Sequence, residues 1–201
     1  MQTATQVSVR KMLLSDIAQV MQIERDSFPA TWPQTAYQRE LTKNRLALYF
    51  VASLDGAPPQ EEPERRGWLR HLLPVAGKPA GEPIAGFIGL WKMVDEAHIV
   101  TFAVRPELRR EGIGSVLLEH AFRCAEELDL PALTLEVRIS NTDAQALYEK
   151  WGFQKLGVRK RYYSDNKEDA AIMTTQPLFN PAQQALLEAR RRELRGRGLL
   201  G

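Results

Sequence analysis

The chain has almost no cysteine: a single one, Cys124, in 201 residues. An intramolecular disulfide is therefore excluded, and the opening MQTATQVSVRKMLL lacks the apolar stretch of a secretory signal. Long hydrophobic runs are missing as well. None approaches the roughly 18 to 20 residues of a spanning helix, so no membrane span is expected and the setting reads as cytoplasmic. Charge is balanced, with 27 Lys and Arg against 25 Asp and Glu for a net +2, which gives no argument for a DNA partner. The phosphate-binding pattern GxxxxGK followed by Ser or Thr is absent, as are HExxH and CxxC. His120 and Cys124 share a helix face, but two ligands do not make a zinc site and no metal is assigned.

What is present fits one domain. Ile17, Val20, Met21 and Ile23 follow a Ser15-Asp16 start at helical spacing, predicting a capped helix over 15–24 that 28-FPATWP-33 breaks. A second short helix is expected over 34–42 and a buried strand over 46–54. Six prolines among residues 55–83 mark a long insertion. Its segment 67-GWLRHLLP-74 has apolar surface enough to dock elsewhere, against the blander reading of a turn covering the core. Beyond it, 84–94 and 97–104 read as strands joined at Asp95-Glu96, and a helix over 115–130 is stopped by Pro131. A strand over 132–138, a helix over 142–150 and strands near 153–159 and 170–176 follow. The alternation predicts an α/β or α+β single-sheet domain.

The stretch 105-RPELRREGIGSVLLEH-120 carries the chemistry. Leu117, Leu118, Ala121, Phe122, Ala125 and Leu128 recur with helical spacing, so Gly112 and Gly114 fall on a strand-to-helix turn. Glycines there permit close approach, and the free N–H groups of a first helical turn attract an anion. The turn reads as a phosphate cradle, although the third glycine of GxGxxG is replaced by Leu117. A glycine turn with solvated arginines is the alternative.

The longer pattern Arg109-x-x-Gly112-x-Gly114 resembles the coenzyme A pyrophosphate motif, Q/R-x-x-G-x-G/A, of the GCN5-related N-acetyltransferases (GNAT). The stretch 135-LEVRISNTDAQALYEKWGF-153 resembles that superfamily's next block, and 159-RKRYYSDNKEDAAIM-173 the closing block of the bacterial ribosomal-protein alanine N-acetyltransferases (RimI type). The resemblance covers roughly Val7 to Leu178 apart from the insertion, and leaves 179–201 as a basic extension. It implies a mixed central sheet flanked by helices, with a splayed strand pair holding acetyl-CoA. It also implies diphosphate contacts from Arg109, Arg110, Glu111, Gly112, Ile113, Gly114 and Ser115, and a further coenzyme contact at Asn141, which is placed to cap the helix after it.

In 133-LTLEVR-138, period-two alternation sets Leu133, Leu135 and Val137 on one face and Thr134, Glu136 and Arg138 on the other. Acetyl transfer needs a neutral amine. An α-amine, with a pKa of about 7.7 to 8.0, asks far less of a base than lysine at about 10.4. Free glutamate, near 4.3, is weak, but partial burial raises a carboxylate and water can relay the proton. The resemblance makes Glu136 the proton acceptor and Tyr148 the donor to the coenzyme thiolate; Tyr148 as a core aromatic is the alternative. Phe102, Ala103 and Val104 end the strand feeding the cradle, where backbone amides can pair with pantetheine as an added strand does. Pro106, lacking an N–H, is the expected cause of the splay.

Phe28 with Trp32 and Tyr162 with Tyr163 resemble the family's peptide-contacting loops, and the implied substrate is the N-terminal alanine of a small-subunit ribosomal protein. Over 181–201, a helical start runs into Arg190, Arg191, Arg192, Arg195 and Arg197. These could make weak contact with RNA, but a solvated tail is expected. Three classes stand: a protein N-terminal acetyltransferase, a small-molecule amine acetyltransferase, and a non-catalytic module binding coenzyme A or RNA. The Arg159–Met173 block favours the first, and Glu136 with Tyr148 favours an enzyme.

Overall fold

A computed structural model of the chain describes residues 6–54 and 83–200. The segment 67–74 and nearly all of the insertion lie outside the described residues. The chain order is β1 (Val7–Lys11), α1 (Ile17–Ser27), α2 (Gln34–Lys43), β2 (Ala47–Leu54), β3 (Ile84–Lys92), β4 (Ala97–Val104), α3 (Ile113–Glu127), β5 (Leu133–Arg138), α4 (Thr142–Lys150), β6 (Phe153–Arg159), β7 (Ala170–Thr175) and α5 (Pro181–Gly196). The strands form one mixed sheet in the order β1-β2-β3-β4-β5-β7-β6. The pair β4–β5 is parallel and every other neighbouring pair antiparallel.

The central strands are apolar at consecutive positions because the sheet is covered on both faces. On β2, Tyr49 and Val51 face one cluster with Ile17, Val20 and Ile23 of α1 and Tyr37 of α2. Phe50 and Ala52 face the other, with Leu117, Leu118 and Phe122 of α3 and Leu187 and Leu194 of α5. The sheet is thus sandwiched between two helical layers.

Several local expectations are corrected. No strand was expected at Val7–Lys11, which pairs with β2 as an edge strand. Asp16 does not cap α1 forward; its carboxylate accepts from the Leu13 N–H at 2.7 Å and pairs with Arg10 at 2.7 Å. The β3–β4 turn is Met93–Glu96, closed by Met93 N–H to Glu96 carbonyl at 2.9 Å. The C-terminal segment is no solvated tail. Asn180 caps α5 through Ala182 N–H, Leu187, Leu194 and Leu199 are buried, and Arg191 pairs across to Glu119 at 3.3 Å and Glu126 at 2.7 Å of α3. Arg190 and Arg195 are also ion-paired, to Glu193 and Glu188.

Candidate active site

The site begins where two strands part. β4 and β5 pair only from Ala97 to Ile99 against Leu133 to Leu135. Past that fork, β4 remains hydrogen-bonded to β3 through Val104, and β5 to β7 through Arg138, so the edges of Phe102–Val104 and Glu136–Arg138 that face each other are unpaired. The splay does not start at Pro106. The β3–β4 register slips between Gly89 and Leu90, which pair with Thr101 and Ile99. Val100 is therefore an extra residue, and such a bulge turns its strand away from a neighbour.

Glu136 is the first residue beyond the fork, and its side chain is 7% exposed. It is covered, as expected, but not bare. Oε1 is 2.9 Å from Arg159 Nε and Oε2 is 3.0 Å from His98 Nε2. His98 Nδ1 lies 2.8 Å from Thr134 Oγ1, which donates to Glu96 Oε1 at 2.9 Å. Threonine has one hydroxyl proton. With it committed to Glu96, the hydroxyl oxygen accepts from Nδ1–H. The Nε2–Oε2 contact at 3.0 Å completes a chain of contacts from Glu96 through Thr134 and His98 to Glu136. Sequence reasoning missed His98, because only the β4–β5 register sets it against Thr134.

At the mouth of the splay, Arg110 (φ 71°) and Gly112 (φ 95°) both take the left-handed conformation, turning the chain into α3. The first turn of α3 has no acidic residue to oppose an anion. Exposed Arg110 reaches Asp143 at 4.0 Å, which brings the turn to the start of α4. There Asn141 caps the helix as expected, accepting from Ala144 N–H at 3.1 Å. Arg109 behaves differently: it donates to the Val104 carbonyl at 3.2 Å and to Ser27 Oγ at 3.1 Å, tying the end of β4 to the end of α1. A Cβ on Gly114 would lie 3.3 Å from both Phe102 and Leu147, so the turn into α3, the splayed strand and α4 meet there. The Tyr148 ring packs 6.1 Å from Phe102 and 5.5 Å from Phe153. It is both a core aromatic and a neighbour of the splay, and burial pushes its phenol up.

The β6–β7 loop stands over the carboxylate. Tyr162 and Tyr163 meet edge to face at 5.2 Å. Burial raises both phenols, with Glu136 adding to the shift, and Tyr163 is pushed up to about 12. Arg138 anchors the loop from β5: its guanidinium lies 3.8 Å over the Tyr163 ring and binds Asp165 at 2.9 Å and Glu168 at 3.0 Å. Phe28 and Trp32 are half-buried against the second core cluster. The Trp32 N–H donates to Glu24 at 3.1 Å, and its ring borders a groove along α2 with Pro33, Ala36 and Arg39. The structure thus sets Tyr162 and Tyr163 by Glu136, whereas Phe28 follows Ser27 at the Arg109 tie.

The Acetyltransferase (GNAT) family model matches residues 17–153. The chain is a GNAT acetyltransferase. The enzyme is 38% identical over 169 residues, 84% of its own chain and 95% of the relative, to a Bacillus subtilis protein named for ribosomal protein bS18-alanine N-acetylation. It is 32% identical to the N-alpha-acetyltransferase of Sulfurisphaera tokodaii over 82% of this chain and 90% of that one. Among solved structures, the ribosomal-protein-S18-alanine N-acetyltransferase of Escherichia coli superposes with a TM-score of 0.65 at 27% identity, covering 84% of this chain and 92% of that one. Acetyl-CoA is the acetyl donor of this enzyme family, and the unpaired β4 edge with a carboxylate-free helix start fits its pantetheine amides and diphosphate. Among the described residues, no helix is long and apolar enough to cross a membrane, and no cluster of His, Cys, Asp and Glu could hold a metal ion.

Proposed function

We propose that the enzyme acetylates a protein N-terminus, an alanine of a ribosomal small-subunit protein being the first candidate, by direct transfer from acetyl-CoA. The observation that carries this is the His98–Glu136 pair, 3.0 Å apart at the fork of the splay and overlooked by the Tyr162–Tyr163 loop. The relatives named for N-terminal acetylation, alignable over most of the chain, support a peptide substrate.

Acetyl-CoA supplies a thioester carbonyl for the amine to attack. The diphosphate is held by the turn from Arg109 to Ser115, with Asn141 flanking it and the backbone of Phe102, Ala103 and Val104 lining the pantetheine arm. Arg109 serves this site by fixing the end of β4. Glu136 accepts the proton of the incoming ammonium, and His98, 3.0 Å from Oε2, holds its carboxylate in place. Tyr148 donates to the departing sulfur; burial, by raising the phenol, keeps it protonated for that task. Phe28, Trp32, Tyr162 and Tyr163 guide the peptide.

Glu136→Gln keeps the shape but removes the basicity, and turnover at neutral pH is expected to fall by about 10² to 10⁴. The deficit should shrink between about pH 7 and 9 as the α-amine loses its own proton. Tyr148→Phe should slow turnover without that recovery. The assay uses peptides differing in their first residue, alongside polyamines and aminoglycosides. Wild-type turnover in Glu136→Gln across the whole range would make the carboxylate structural, and preference for the small amines would overturn the peptide reading.

A further inference from the structure

The end of the chain reaches the coenzyme turn. After α5, Gly198 takes φ 70° and reverses the backbone, so that Leu199 packs back into the core and its carbonyl accepts from Val7 N–H at 3.4 Å. That reversal sets two side chains against the cradle. A Cβ on Gly112 would lie 2.5 Å from Leu199 Cδ1 and 3.2 Å from an Arg197 terminal nitrogen. Arg197 also donates to the Glu111 carbonyl at 3.3 Å. A bulky residue at Gly112 would therefore disturb the packing as well as obstruct a ligand, because Leu199 fills the space behind it.

We infer that Arg197 is a positioning residue for acetyl-CoA, and that the C-terminal segment holds the diphosphate turn in its anion-binding shape from behind. The inference rests on the turn from Arg109 to Ser115 being the diphosphate site. Two of its residues are left-handed, one of them the non-glycine Arg110, a conformation that persists only where surroundings impose it. Arg197 supplies such a restraint by anchoring the carbonyl between these two residues. Its guanidinium also adds positive charge beside the turn, where a diphosphate carries negative charge. The ion pairs of Arg191 to Glu119 and Glu126 fix the helix that delivers it.

The test compares two acyl donors. In Arg197→Ala the KM for acetyl-CoA should rise about three- to tenfold, the loss of one exposed charge-assisted bond, while kcat and the peptide KM stay put. With acetyl-pantetheine, which has no diphosphate, kcat/KM should be unchanged. Arg197→Lys, keeping charge and one donor, should recover part of the loss, and thermal melts should match the wild type. An unchanged acetyl-CoA KM overturns the inference, as does an equal loss with both donors, which would make Arg197 a general structural contact. Arg110→Glu separates the two levels, because it reverses charge at the turn itself. If it raises the acetyl-CoA KM and Arg197→Ala does not, the turn stands and the C-terminal role falls. If neither variant moves it, the diphosphate assignment falls as well.

Discussion

At the residue scale, the buried carboxylates divide by what answers them. Glu136 has a partner on each oxygen, whereas Glu24 is 3% exposed, accepts from Trp32 N–H through Oε1 and leaves Oε2 without a hydrogen-bond partner among the described residues. Burial pushes the Glu24 carboxyl up. A raised carboxyl binds its proton more tightly in the folded than in the unfolded chain, so its contribution is most favourable at low pH and is lost as pH rises through the raised value. Glutamine at position 24 keeps the bond to Trp32 and does not titrate. Glu24→Gln should therefore melt higher than the wild type at pH 8, with the gain shrinking toward pH 4, as followed by calorimetry. Legibility varies at this scale. Period-two alternation was enough to set Glu136 apart from Leu135 and Val137. His98 was invisible because its partners lie 36 and 38 positions onward in sequence, at Thr134 and Glu136.

At the element scale, the loop from Lys160 to Asp169 has little apolar cover of its own and is held by charge. Arg138 engages Asp165, Asn166 and Glu168 with one planar fork. Lysine cannot reproduce that geometry. Arg138→Lys should loosen Tyr162 and Tyr163 and raise the peptide KM roughly tenfold, with the acetyl-CoA KM unchanged in steady-state assays. Hydrogen bonds from Ser140 and Arg138 hold the Glu168 carboxyl down at about 2. A depressed carboxyl stabilises the fold above its unfolded value and loses that contribution only as pH falls through the folded one. Hydrogen exchange of the loop, corrected for the intrinsic rate, should accordingly be flat from pH 5 to 8, so any acid limb in activity there belongs to other groups. Most elements were legible from punctuation: Asn141 before α4, Pro131 after α3, Pro33 before α2. The splay was legible only as a consequence of the family, since its local cause, the extra residue at Val100, looks like ordinary strand sequence. β1 escaped notice because five residues of mixed polarity carry too little pattern.

At the scale of the whole molecule, α5 closes the second helical layer. Arg191 reads as part of a solvated tail because two of its partners, Glu119 and Glu126, lie on another helix two turns apart. Leu194→Ala should cost about 2–5 kcal/mol in urea unfolding, as a core position does, where a solvated tail would give roughly half a kcal/mol or less. The insertion has a different kind of consequence. Ser53 and Ile84 are paired partners on β2 and β3, so the two strand ends that flank the insertion meet at one point of the sheet. The place of return is not neutral: the Ile84 carbonyl accepts from Arg105 Nε at 2.5 Å, and the Ala85 carbonyl from Arg105 N–H at 2.9 Å. Arg105 is the residue that leads from β4 toward the turn from Arg109 to Ser115. A guest domain spliced between Leu54 and Pro83, with its own termini close together, would pull on that residue whenever it changed shape, and the rate of acetyl transfer would become a gauge of what the guest had bound.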